Sequence, residues 1–161
     1  MRLRQGPVQA ACIVLALRYA QFLQGGSVDR EGVFMVKEII STDKAPQAIG
    51  PYSQGVRAGG FVFFSGQIPL DPVTGQITGS DIVGQTEQVM KNIEEVLSSS
   101  GLGFEDVVKT TIFLVDLADF ATVNEIYGRR FPKDPPARST VEVKGLPRGA
   151  LVEVEVVACC G

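Results

Sequence analysis

A chain of 161 residues is long enough for one domain with a single core and short for two. With 45% hydrophobic and 20% charged residues it has the make-up of a folded globular protein, and a net charge of −3 gives no general attraction for a phosphate backbone. The complete lack of histidine excludes Ser-His-Asp and Cys-His nucleophile activation, histidine-metal sites and histidine-based ribonuclease chemistry. Arg, Lys, Tyr, carboxylates, hydroxyls, backbone dipoles and water remain, a set suited to anion binding and to an easy hydrolysis.

Residues 1–34 differ in character from the rest. Arg2 and Arg4 precede an apolar run from Ala10 to Leu17, and Gly25-Gly26-Ser27 ends the pattern. Arg18 interrupts the run and no small-x-small cleavage site follows, so a secretion signal is a poor fit. A membrane span would need roughly 18 or more uninterrupted apolar residues. The segment reads as an N-terminal extension, poorly packed or upstream of a start at Met35, with a domain over 35–161. Cys12, Cys159 and Cys160 make an odd set with two neighbours, which suits reduced thiols in the cytoplasm better than disulfides or a structural zinc site.

Val36 to Ile40 reads as a short strand, and the stretch holding Pro46 and Gly50-Pro51 as an extended loop with Tyr52 at its exit. Gln54 to Ala58 and Phe61 to Gln67 are strand-like runs around Gly59-Gly60, a pair that accepts the backbone of a tight hairpin turn. Asp71-Pro72-Val73-Thr74-Gly75 is a turn. Ile82, Thr86, Val89, Ile93, Val96 and Leu97 then recur at helical spacing, with Ser80 or Asp81 to cap the start and Gly101 to close the end. Glu87, Lys91, Glu94 and Glu95 form the solvated face of that helix, with Glu87 and Lys91 at pairing distance.

Val107 to Val115 reads as a strand, and Asp119 as the cap of a second helix in which Phe120, Val123 and Tyr127 share one face. Pro132, Pro135 and Pro136 end it. Arg138 to Val143 and Leu151 to Ala158 read as the last strands, joined through Gly145-Leu146-Pro147-Arg148-Gly149. The order strand, strand, strand, helix, strand, helix, strand, strand predicts an α+β sandwich with both helices on one sheet face. In the last strand Val152, Val154 and Val156 point one way and Glu153, Glu155 and Val157 the other. The second sheet face is therefore either solvated or an oligomer interface.

Five motifs, Ala48-Ile-Gly-Pro-Tyr-Ser-Gln54, Ser65-Gly-Gln-Ile-Pro69, Phe120-Ala-Thr-Val-Asn124, Pro136-Ala-Arg-Ser-Thr-Val-Glu-Val143 and Val152-Glu-Val-Glu155, stand in one order over Met35 to Ala158. In order and spacing they resemble the RidA (YjgF-type) family. The resemblance implies a chorismate-mutase-like fold and a homotrimer whose sheets form an inner barrel, with three clefts between subunits. It implies hydrolysis of reactive enamines and imines such as 2-aminoacrylate to a 2-keto acid and ammonia, with neither cofactor nor metal.

Residue by residue, the resemblance gives Arg138 the substrate carboxylate, which agrees with the paired hydrogen bonds a guanidinium donates to such a group. Without it, a lone strand arginine is most simply half of a surface salt bridge. Tyr52 matches the family's cleft tyrosine, Asn124 a residue at the cleft, and Ser65 and Gly66 a stretch whose backbone approaches the ligand. Glu153 matches the carboxylate beside the attacking water, with Glu155 on the same strand face. Thr140 stands where many members have cysteine, which removes any thiol chemistry there and points to altered substrate preference. Two other readings compete. One is a non-catalytic trimer that binds small acids or protects other proteins. The other is a translation-inhibiting ribonuclease, for which only a local patch of Arg129, Arg130 and Lys133 speaks.

Overall fold

The computed structural model describes residues 37–160, together with the backbone of two short paired strands, β1 (Ser27–Val28) and β2 (Phe34–Met35). Contacts divide the chain into Met1–Lys37 and Glu38–Gly161. Most of the N-terminal extension, Cys12 included, lies outside the described residues.

The second unit is a mixed six-stranded sheet with two helices against it. Its strands are β3 (Glu38–Ile40), β4 (Gly55–Ala58), β5 (Phe61–Gln67), β6 (Val107–Leu114), β7 (Ala137–Glu142) and β8 (Val152–Cys159). They lie side by side in the order β3-β4-β5-β8-β6-β7, antiparallel throughout except for the β6–β7 pair. The parallel pair needs a long crossover, and that crossover contains one of the helices. The hairpin between β4 and β5 turns at Gly59 and Gly60, both at positive φ (57° and 81°), a conformation glycine adopts without steric cost.

Helix α1 spans Ile82–Ser98 and starts where the Asp81 carboxylate accepts from the Gly84 N–H at 2.8 Å. Its apolar stripe packs Val89, Ile93, Val96 and Leu97 against Val62, Phe64, Val152, Val154 and Val156 of the sheet, all buried in one core cluster. Gln85, Thr86 and Asn92 are buried on the same helix. Each is satisfied: Asn92 Nδ2 donates to the carbonyls of Ile68 and Leu70, Gln85 Oε1 accepts from Leu151 N–H, and Thr86 Oγ1 donates to Ile82 O. Periodicity marked the stripe correctly and gave no hint that amides would tie loops to it.

Helix α2 spans Phe120–Gly128. Asp119 makes no side-chain cap. Asp116 does the capping one short 3₁₀ turn earlier, accepting from Ala118 N–H at 2.8 Å. Phe120 is not a core residue either: it is 41% exposed, whereas Val123, Ile126 and Tyr127 are buried. The expected Glu87–Lys91 pair gives way to bridges between helices, Arg129 to Glu87 at 2.6 Å and Arg130 to Glu94 at 3.1 Å. Both are half-exposed pairs of the kind that contribute about 0–1 kcal/mol.

Ile93 is fully buried in the centre of the core. Ile93→Ala is expected to destabilise the domain by about 2–5 kcal/mol, read as a lower urea midpoint in equilibrium unfolding.

Candidate functional site

The sheet has two unlike faces, and the residues singled out above divide between them. On β8 the side chains of Val152, Val154, Val156 and Ala158 are buried beneath the helices, while Glu153, Glu155 and Val157 face the opposite way. Register extends that division across the sheet. Arg138 of β7 pairs with Thr110 of β6, which pairs with Val156, so Arg138 lies on the helix side. Glu153 pairs with Phe113 and Glu155 with Thr111 on the open side.

Arg138 sits on the edge strand, exposed, with its guanidinium carbon 4.9 Å from the centre of the Tyr127 ring and 5.7 Å from that of Phe120. Stacking of this kind holds a planar cation in place and leaves its N–H edges free to bind an anion. Phe120, Asn124 and Tyr127 recur at helical spacing on α2, so exposed Asn124 stands on the same stripe as the two rings beside Arg138. Thr140, two residues along β7, shares the side of Arg138. Its buried Oγ1 has no hydrogen-bond partner among the described residues. Tyr127 Oη and Thr110 Oγ1 are 3.0 Å apart beneath this group, and burial raises the phenol pKa against the lowering effects of Thr110 and Arg138.

The other residues gather elsewhere. Tyr52, half exposed, lines a cavity of about 330 Å³ with Gly66, Ile49, Gln67, Leu70 and Arg148. The loop carrying Tyr52 is stitched to β5: Ser65 N–H donates to Gln54 O at 3.0 Å and Ser65 Oγ to Ser53 O at 2.7 Å. Gln54, 4% exposed, holds the loop's far end by accepting from Thr42 N–H and donating to the Thr42 and Pro46 carbonyls. Between Phe64 and Gln67 the β5–β8 register slips, and Ser65-Gly66 forms the irregularity.

The Glu153 carboxylate lies directly against Gly66: a Cβ built there would overlap Glu153 Oε1. Burial, with a smaller contribution from the Glu155 charge, raises the Glu153 pKa above the usual carboxylate value. A carboxyl tuned upward beside a close-approach glycine and a tyrosine-lined cavity is suited to proton transfer with a water.

One group thus holds Arg138, Asn124 and Thr140, and the other Tyr52, Ser65, Gly66 and Glu153. Within one chain they do not meet, because Arg138 and Glu153 stand two strands apart, about 10 Å in strand spacing, on opposite faces.

The family described as Endoribonuclease L-PSP, that of the YjgF/RidA proteins, matches residues 42–160. The chain belongs to the YjgF/RidA family. Reactive Intermediate Deaminase A, chloroplastic, of Arabidopsis thaliana is 53% identical over 122 residues, covering 76% of this chain and 65% of that protein. The 2-iminobutanoate/2-iminopropanoate deaminase of Mus musculus is 46% identical over 127 residues, 79% of this chain and 94% of that one. The crystal structure of E. coli TdcF with bound serine has a TM-score of 0.73 and 42% identity, over 77% of this chain and 99% of that one.

The mixed sheet with two helices is the fold that this RidA-family chain shares with its solved relatives. The basic patch weighed in the sequence is largely neutralised here, since Arg129 pairs with Glu87, Arg130 with Glu94, and Lys133 lies 3.7 Å from Asp134. Cys159 and Cys160 are free thiols. No helix among the described residues is long and apolar enough to cross a membrane. The sequence placed Gln54 at the end of a motif without a role, because that role depends on carbonyls up to twelve residues away, and it read Arg148 between the turn signals Pro147 and Gly149 as part of a bend and not of a cavity wall.

An acid with a raised native pKa binds its proton more tightly folded than unfolded, so its contribution to stability falls as pH rises from the unfolded value through the native one. Glu153→Gln is therefore expected to match or exceed the parent in unfolding free energy at pH 7, with the gap closing at acid pH, measured by denaturant titration over pH. Gly66→Ala is expected to keep the melting temperature within a few degrees, because the overlapping atom ends a flexible side chain, while displacing the Glu153 carboxylate in a crystal structure.

Proposed function

We propose that this protein is a 2-iminobutanoate/2-iminopropanoate deaminase-type hydrolase, converting reactive enamines and imines such as 2-aminoacrylate to 2-keto acids and ammonia. The observation that carries the reading is the division of the site: a free, ring-stacked guanidinium on one face and edge, and a proton-tuned carboxylate beside a cavity on the other. Each half alone is incomplete. Bringing Arg138 of one copy against Glu153 and Tyr52 of the next completes it, which favours a homotrimer with clefts between subunits.

The open sheet face supports that assembly. Register aligns Ile39, Val56, Phe63 and Val157 in one row across four strands, and Ile39 and Phe63 are 55% and 50% exposed. An apolar row of this kind favours burial against another surface, and in the proposed trimer it lines the inner barrel.

In the reaction the enamine tautomerises to its imine, and Arg138 holds the carboxylate through two parallel hydrogen bonds. Asn124 and Thr140 flank it, while the Ser65-Gly66 backbone lets the substrate approach closely. Tyr52 packs over the substrate. A water whose proton passes to Glu153 adds to the imine carbon, giving a tetrahedral carbinolamine. Glu153 returns that proton to the nitrogen, the carbinolamine's hydroxyl proton follows it there through the same carboxylate, and the C–N bond breaks so that ammonia leaves as the carbonyl forms. Overall, one imine and one water give one 2-keto acid and one ammonia. The imine carbon is already electrophilic, so positioning supplies most of the rate gain, and no cofactor enters. We assign this chemistry to residues 35–161, and a cytoplasmic location accords with the free thiols.

Ammonia release from freshly generated 2-aminoacrylate tests the reading. The parent is expected to accelerate it, Arg138→Ala to lose at least about a hundredfold in kcat/KM, and Glu153→Gln to lose kcat mainly, each with the fold intact by circular dichroism. A parent that binds 2-keto acids without releasing ammonia would instead make it a binding module, and RNA cleavage surviving Arg138→Ala would revive the ribonuclease reading. Phe63→Asp is expected to convert a native mass of three chains to one and to abolish activity with it.

A further inference from the structure

The cavity beside Tyr52 and Gly66 has one charged side chain in its lining, and it is Arg148 rather than Arg138. Arg148 stands in the left-handed region (φ 57°, ψ 16°) and is followed by Gly149 at φ 73°, so the loop makes two successive left-handed residues. Glycine would take the first of these positions freely, whereas an arginine there is strained, and strain of this kind concentrates at ligand clamps and active sites. Among the described residues no carboxylate lies within salt-bridge distance of Arg148, although Arg57, Arg129 and Arg130 each have a partner. The side chain is exposed, held at the cavity wall by its backbone and left without an internal counter-ion.

The surroundings define what would bind. Ile49, Ile68 and Leu70 supply apolar wall, Gln67 and Tyr52 supply polar atoms, and the volume of about 330 Å³ exceeds the need of a three-carbon acid. Gly66, which lines the cavity, has the Glu153 carboxylate directly against it, so a second anion entering the cavity needs a cation in the same lining to offset that charge.

We propose that Arg148 is a specificity-determining residue that binds a second carboxylate, on the side chain of the substrate, so that this cavity favours 2-imino acids with two acid groups. The inference rests on the deaminase reading for the placing of the first carboxylate at Arg138. The substrate then spans the cleft, its reacting carbon near Glu153, its α-carboxylate on the neighbouring copy's guanidinium and its distal carboxylate on Arg148.

Imines generated in situ from glutamate and from alanine by amino-acid oxidases, with their decay followed by semicarbazide trapping, test it on the full chain. The parent is expected to prefer the glutamate-derived imine. Arg148→Gln should lower kcat/KM for that substrate about tenfold, through KM, and leave the alanine-derived imine within about twofold. Arg148→Lys should restore most of the loss. Arg148→Gly should show the same selective loss with a melting temperature equal to or above the parent's, which separates ligand binding from a structural role.

Equal losses on both imines, or no preference in the parent, would overturn the inference. Calorimetric titration with 2-oxoglutarate and pyruvate decides it independently of turnover. Tighter 2-oxoglutarate binding that disappears in Arg148→Gln supports the second anion subsite even if the parent releases no ammonia, in which case only the deaminase reading falls. Equal binding of the two acids, or a preference surviving the substitution, refutes the subsite whether or not the parent is a deaminase.

Discussion

The two-residue alternation of β8 is the constraint on which the rest of this structure depends. Val152, Val154, Val156 and Ala158 are buried at 2% exposure or less, and their burial against the α1 stripe fixes the strand's register. A slip of one residue would put Glu153 and Glu155 into the apolar layer, where an unpaired carboxylate is costly to bury. The core therefore forces Glu153 onto the open face. Once there, the bulged Ser65-Gly66 stretch of β5 partly covers it, and that cover raises its proton affinity.

Arg138 obeys the same sheet logic with the opposite result. Its cross-strand partners Thr110 and Val156 belong to the helix side, so its side chain rises beside α2 and stacks on Tyr127 and Phe120. Because β7 is an edge strand, the guanidinium keeps an open flank. A molecule built this way separates the guanidinium beside Tyr127 from the carboxyl of raised proton affinity, and the proposed function needs a second copy to reunite them. The apolar row from Ile39 to Val157 lies on the face where such a copy would dock.

Much of the fold could be read from residue pattern alone. The hairpin at Gly59-Gly60, the α1 stripe, the Asp81 cap and the division of β8 follow from short-range chemistry and appear where expected. Most of the misjudged features involve partners distant in sequence, and the capping before α2 is the local exception. Glu87 turned from Lys91 to Arg129, forty-two residues on, because neighbouring helices brought a better-placed cation to it. Asp116 took the capping role from Asp119 because a 3₁₀ turn precedes α2. Buried Gln54, Gln85 and Asn92 looked like ordinary polar residues, since the carbonyls and amides that satisfy them belong to loops that only folding brings near.

By itself the sequence determined the family, through five motifs in order, and the chemical vocabulary of the chain, because a protein without histidine must work with arginine, tyrosine and carboxylates. It also set the alternation of the last strand, with Val152, Val154 and Val156 on one side and Glu153 and Glu155 on the other, since side-chain alternation is a local property of extended backbone. The tertiary structure alone decided which of those sides meet. It set Arg138 and Glu153 apart on opposite faces, laid Gly66 against the Glu153 carboxylate and put Arg148 into the cavity wall. Those outcomes depend on strand order, register slips and a left-handed turn, and long-range pairing, unlike propensity, is not written in neighbouring residues.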